Sequence, residues 1–186
     1  MILNSVRGPS AHHRLLGEAL NLDLSHFVSG LYALLLPLSL RTDIDVAPPP
    51  TSSVGVRRAK AQSIADMLFR ALSLVFSPRS FGATTSSLRS AAFAKRLLSG
   101  CLHWPANTVL RTLEFVGGLI ANDPKLEALL STEDRAAGGV YLAEVDDPQL
   151  SHAFGTSLWE LHLLRRNHYD GQVREEAGKI LNTGCV

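Results

Sequence analysis

Only two cysteines, Cys101 and Cys185, occur in 186 residues, too few for the disulfide framework that holds small secreted domains together. Long apolar runs are also missing. The longest, Leu31 to Leu40, is broken by Pro37 and Ser39 and falls well short of the ~20 residues that cross a bilayer, so no membrane span is read. Met1-Ile2-Leu3-Asn4 precedes Arg7, His12, His13 and Arg14, the reverse of the charged-then-apolar order of a secretory leader. A reducing, intracellular compartment is expected. Charge of one sign is lacking too: the net charge is +1 with histidine neutral, and that total signals neither a polyanionic nor an acidic ligand.

The signatures of catalysis are equally scarce. No glycine-rich loop ends in Lys-Ser/Thr, no serine sits in a nucleophile elbow, and no Cys-x-x-Cys pair occurs. Gly117-Gly118 and Gly138-Gly139 lack the strand-to-helix setting of a nucleotide loop. His162 and His168 are six apart, which puts them on different helix faces, whereas a helical metal pair needs a spacing of three or four. His12-His13 has no carboxylate or thiol ligand set beside it. Glu144, Asp146 and Asp147 are clustered carboxylates, but their spacing is not that of a calcium loop. The expectation is a protein that is not an enzyme and holds no metal or cofactor.

What is present is enough apolar material for one core. Hydrophobic residues make up 46% and charged ones 19%, values of a chain that folds, and 186 residues suit one domain or a short stack of repeats. Apolar spacing follows the helical period nearly everywhere, with no sustained strand-like alternation. The spacing predicts helices over about 24–36 (Phe27, Leu31, Leu34 and Leu35 inward, Asp23 as cap), 56–76 (Ile64, Met67, Leu68, Ala71, Leu72, Val75) and 88–102 (Leu88, Ala92, Leu98, Leu102, with Arg89, Lys95 and Arg96 reaching water). A fourth follows Trp104-Pro105 with Val109, Leu113, Val116 and Ile120. Asp123-Pro124 opens a short helix to about Leu130, Ser157 and Glu160 form a capping box for a helix carrying Leu158, Leu161 and Leu164, and a last helix covers about 172–181. The fold class expected is all-α: antiparallel helices in a HEAT- or armadillo-like solenoid or an irregular bundle. The organisation expected is a flexible segment at 1–15, a helical domain at 16–182 with mobile loops near 42–54 and 131–154, and a tail at 183–186.

Charge is unevenly spread. Between Arg57 and Arg111 nine Lys/Arg face one acid, and between Glu114 and Asp147 eight acids face two cations. Two solvated surfaces, or a basic and an acidic face for different partners, both fit this pattern. Arg57, Arg58 and Lys60 would load the first turn of the second helix, where the helix dipole disfavours cations.

Four stretches, in collinear order from about Leu16 to Leu181, resemble the nucleolar complex protein 3 family in its C-terminal CCAAT-binding-factor-like region. They are Gly17-Glu18-Ala19-Leu20-Asn21-Leu22-Asp23 with Phe27 and Leu31-Tyr32; Ala91-Ala92-Phe93-Ala94-Lys95-Arg96-Leu97 with Pro105 and Asn107; Gly138-Gly139-Val140-Tyr141 with Glu144, Asp147 and Pro148; and Leu158-Trp159-Glu160-Leu161-His162-Leu163-Leu164-Arg165-Arg166 with His168-Tyr169 and Val173. The family's usual Arg-Arg-His-Tyr-His-Pro is altered, since Asn167 is inserted and Asp170-Gly171 stands where His-Pro is expected. Family members are several times longer, so the chain corresponds to their C-terminal region, as a fragment, a truncated gene model or a degenerate copy.

The resemblance implies a nuclear, nucleolar scaffold in assembly and transport of the large ribosomal subunit. Its implied partners are a nucleolar complex protein 2-like protein and pre-rRNA in the precursor particle. A chromatin or DNA-binding role in replication initiation, beside origin-binding proteins, is the alternative, and a truncated copy without independent function is a third. Candidate RNA or partner contacts are Arg57, Arg58, Lys60, Arg89, Arg96, Arg165 and Arg166. Phe93, Leu158, Trp159, Leu161 and Tyr169 are expected to pack.

Overall fold

The computed structural model describes residues 25–48, 61–77, 86–131 and 140–183. These residues form an all-α arrangement of helices packed on one another. Helix α1 is Ser25–Leu38, α2 Ile64–Val75, α3 Ser87–Cys101, α4 Ala106–Asn122, α5 Trp159–Asn167 and α6 Gly171–Thr183, with 3-10 segments at Pro124–Leu130 and Ala153–Gly155.

Helix α3 is the hub. Helices α1, α4 and α5 and both 3-10 segments pack against it, while α6 lies on α5 and α4. Every residue from Ser90 to Leu98 is buried, so α3 has no solvent face through its middle. That burial is possible because its sequence alternates small and large residues: Ala91, Ala92 and Ala94 let neighbours approach closely, and Phe93, Leu97 and Leu98 fill the gaps between them. Helix α2 joins this centre through its C-terminal ring, since Phe76 meets Phe93 edge-on at 5.2 Å and Phe115 of α4 at 5.5 Å.

Helix ends are set by local chemistry. Ser63 caps α2: its Oγ accepts from the Asp66 N–H at 3.1 Å, and Asp66 Oδ2 accepts from the Ser63 N–H at 3.2 Å. This closed capping box starts the helix at Ile64, eight residues later than the periodicity suggested. Asp123 accepts from the Lys125 N–H, and Pro124 takes the first position of a 3-10 segment, as the Asp-Pro pair indicated. The Ser157 to Glu160 capping box does not form. Helix α5 starts after Leu158 with no side-chain cap, because the Glu160 carboxylate turns inward to a buried lysine instead.

The inner faces of the first helices also differ from expectation. Helix α1 buries Val28, Leu31, Tyr32 and Leu35, leaving Phe27 and Leu34 about half exposed. Its sequence is apolar on almost every side, so spacing alone allows several inward faces, and the contacts of Tyr32 decide between them. Asp23, proposed as its cap, lies outside the described residues. Helix α2 turns Ala65 and Phe69 inward and Met67 outward, and Leu88 of α3 is exposed. Between α1 and α2, Ile44 is fully buried and its carbonyl accepts from the Ala65 N–H at 3.0 Å, tying the first part of that connection to α2. Trp104, in the link from α3 to α4, donates from Nε1 to the Leu38 carbonyl at 2.9 Å and covers Gly100.

Candidate functional site

The most informative chemistry lies on α3, where Lys95 and Arg96 are 2% and 3% exposed. Removing such charges from water costs several kcal/mol each unless their donors find partners. Both find them. Arg96 Nη1 donates to the Tyr32 carbonyl at 3.0 Å and to Asp146 Oδ1 at 3.2 Å. Its Nη2 donates to the Ala143 and Val145 carbonyls at 2.6 and 2.9 Å. The guanidinium also lies 3.7 Å from the centre of the Tyr32 ring, a close cation–π contact. One side chain thereby joins α1, α3 and the acidic segment that follows Val140.

Lys95 does the same for α5. Its Nζ donates to the Ser157 carbonyl at 2.8 Å and sits 2.8 Å from Glu160 Oε1, with the Glu160 side chain fully buried. Ser99 Oγ donates to the same carboxylate at 2.9 Å. The rings of Trp159 and Tyr141 lie 5.0 and 5.8 Å from Nζ. Burial pulls the Lys95 ammonium below its ordinary value, with Glu160 opposing that shift. Burial likewise pushes the Tyr141 hydroxyl up. The acidic stretch, read as a long loop, is thus fastened over residues 140–158: the Leu142 N–H donates to the Ser151 carbonyl and the Leu158 N–H to that of Leu129. His152 adopts φ 52° within this path, a left-handed conformation that histidine tolerates better than most side chains.

Lys95 and Arg96 were expected to reach water, and Arg96 was a candidate RNA contact. The structure places both inside. Trp159 and Tyr169, expected to pack, are 46% and 76% exposed, because the buried stripe of α5 is carried by Glu160, Leu161 and Leu164 with Leu158 just before the helix. Phe93, Leu158 and Leu161 are buried, and Phe93 meets Tyr32 at 5.1 Å. Arg89 is half-buried, Arg165 and Arg166 are exposed in the last turn of α5, and Arg57, Arg58 and Lys60 lie outside the described residues. No cluster of three or more metal-type side chains occurs among the described residues.

The inward pair falls within a sequence segment shared with known proteins. The CBF/Mak21 family profile matches residues 9–177. The chain belongs to the CBF/Mak21 family. Within that family it is similar to the nucleolar complex-associated protein 3 of Saccharomyces cerevisiae, 35% identical over 156 residues, which are 80% of this chain and 23% of that protein. The protein of the same name in Schizosaccharomyces pombe is 30% identical over 172 residues, 88% of this chain and 22% of its own length. The human nucleolar complex protein 3 homolog is 38% identical over 96 residues, 52% of this chain and 12% of its own. The CBF/Mak21 chain described here spans less than a quarter of these curated relatives.

Sequence reasoning found the motif carrying Lys95 and Arg96 but not the roles of the two cations. Glu160 is 65 residues from Lys95 in the chain, and the acceptors of Arg96 are mostly backbone carbonyls, which carry no side-chain signature. The one available signal was the run of small and apolar residues on every side of the pair, from Ser90 to Leu98, which leaves α3 without a polar stripe.

Proposed function

We propose that this chain is a non-enzymatic scaffold of nucleolar complexes that assemble the large ribosomal subunit, acting through the surfaces its helices present and through no reaction of its own. The observation that carries this reading is its similarity, over 80% of its length, to the nucleolar complex-associated protein 3 of budding yeast. The geometry supports it by dividing labour between inner and outer side chains. Lys95, Arg96 and Glu160 hold the frame. The cations left for a polyanion on α5 are Arg165 and Arg166, which make no ion pair among the described residues, and the half-exposed apolar residues Phe27, Leu34, Trp159 and Leu163 suit contact with a protein of the nucleolar complex protein 2 type.

The experiment is affinity purification of the tagged gene product from its own cells, with the associated RNA probed for large-subunit precursors. Enrichment of those precursors over small-subunit precursors and mature rRNA is expected. Loss of every such association overturns the reading.

A further inference from the structure

The turn from α5 to α6 holds an exposed aromatic ring in a rigid frame. Tyr169 is 76% exposed, and the His168 ring stacks on it with centroids 4.5 Å apart and planes 26° from parallel. The backbone beneath is held from both sides. Arg174 Nη1 donates to the His168 carbonyl at 2.6 Å and to the Tyr169 carbonyl at 3.0 Å. Asp170 Oδ1 accepts from the N–H groups of Gln172 and Val173 at 2.8 and 3.4 Å, and the Asp170 N–H donates to His168 Nδ1 at 3.1 Å. Every side chain in this set fixes the turn except the phenol of Tyr169. A ring 76% exposed, stacked on His168 and carried on a turn held at both carbonyls, is a surface ready for a flat ligand.

The charges around it favour an anionic ligand. Arg165 and Arg166 end α5, and the Arg165 side chain runs across α6, where Gly178 leaves room: a Cβ there would lie 3.7 Å from Arg165 Nε. The acids nearby are already engaged. Asp170 caps α6, and Glu175 and Glu176 both pair with Lys179, at 3.1 and 2.7 Å. Asn167, Gly171 and Gln172, its neighbours in the sequence, offer no apolar anchor of the kind that centres a protein interface. Tyr169 lies three positions after Arg166, a reach of at most about 10 Å, or roughly three nucleotides at the ~3.4 Å rise of a stacked strand.

The geometry points to a stacking platform for single-stranded RNA: an unpaired base lies on Tyr169, backed by His168, and the adjoining phosphates meet Arg165 and Arg166. A single strand fits better than a duplex because a base already paired and stacked offers no free face to the ring. The choice of RNA over DNA rests on the function proposed above, while the platform itself rests on the turn.

The test is fluorescence anisotropy of the full chain with a labelled 12-nucleotide oligo(A) RNA, the matching single-stranded DNA, and an RNA duplex. Tyr169→Phe keeps the ring and is expected to bind as the parent does. Tyr169→Ala is expected to weaken binding about tenfold, the loss of one stacked base. The double change Arg165→Gln with Arg166→Gln is expected to reduce the slope of log affinity against log salt by about 1.4, for two phosphate contacts on a single strand. All these side chains are exposed, and circular dichroism of each variant checks that the helices are intact. Equal affinity of Tyr169→Ala and the parent, preference for the duplex, or failure of the parent to bind either single strand overturns the platform. Equal binding of DNA and RNA overturns the assignment to RNA. Precursor association in cells without oligonucleotide binding by the purified chain overturns the platform alone, so the two readings fail separately.

Discussion

Lys95 and Glu160 form a buried ion pair whose partners have no water to fall back on. Replacing one partner leaves the other charged and unpaired, which costs about 3–5 kcal/mol, whereas replacing both with apolar residues of similar volume is often neutral. Glu160→Ala is therefore expected to lower unfolding free energy by about 3 kcal/mol, and Lys95→Met with Glu160→Met to recover most of it. Urea titrations followed by tryptophan emission measure both, and additive losses in the double variant would contradict the pairing. Cys101 is a second residue whose setting has a testable consequence. Burial pushes its thiol from an ordinary 9.0 up to about 12, with a hydrogen bond involving Thr112 pulling weakly the other way. Because the folded pKa is the higher one, the stabilisation is complete below pH 9.0 and is lost as pH rises toward 12, where the unfolded thiol ionises first. At pH 8.5, site-resolved mass spectrometry should find Cys101 alkylated by iodoacetamide at least about a hundredfold more slowly in the folded chain than in urea, since the thiolate is the nucleophile.

Among the elements, α3 depends on close approach by its neighbours. Gly100 is the narrowest point, because an added Cβ would lie 3.0 Å from two atoms of the Trp104 ring. Alanine gains about 1 kcal/mol of helix propensity over glycine, but Trp104 is buried and held by its bond to Leu38, so the ring cannot yield cheaply. Overpacking of this kind costs roughly 1–3 kcal/mol. Gly100→Ala is accordingly expected to be net destabilising by about 1 kcal/mol, seen as a lower melting temperature by circular dichroism; a rise would show that Trp104 moves freely. The positions of α3, α4, α5 and α6 are close to those read from apolar spacing, and the Asp123-Pro124 stop was legible because its chemistry is local. The start of α2 was not, since the apolar pattern continues before Ser63 in the sequence and only the Ser63 to Asp66 box decides where the helix begins. Glu160 misled for a related reason. Ser-x-x-Glu has the sequence of a capping box, but a buried ammonium 65 residues away competes for the same carboxylate and wins.

At the scale of the whole molecule, the inside and outside of the α3–α5 frame have different tasks. The cations of the Lys95-Arg96 motif clamp α1, the acidic segment and α5 around one helix, leaving the end of α5 and the outer face of α1 exposed. Membership of the CBF/Mak21 family was legible in collinear motifs, but the motifs say only which residues recur, and the direction each side chain takes depends on distant partners. The central claim is that the framed chain serves large-subunit assembly. It is tested most directly by purifying the tagged gene product from its own cells and measuring which precursor rRNAs come with it. The account predicts selective enrichment of large-subunit precursors; a stable, well-expressed protein that brings down none of them, or small-subunit precursors equally, would contradict it.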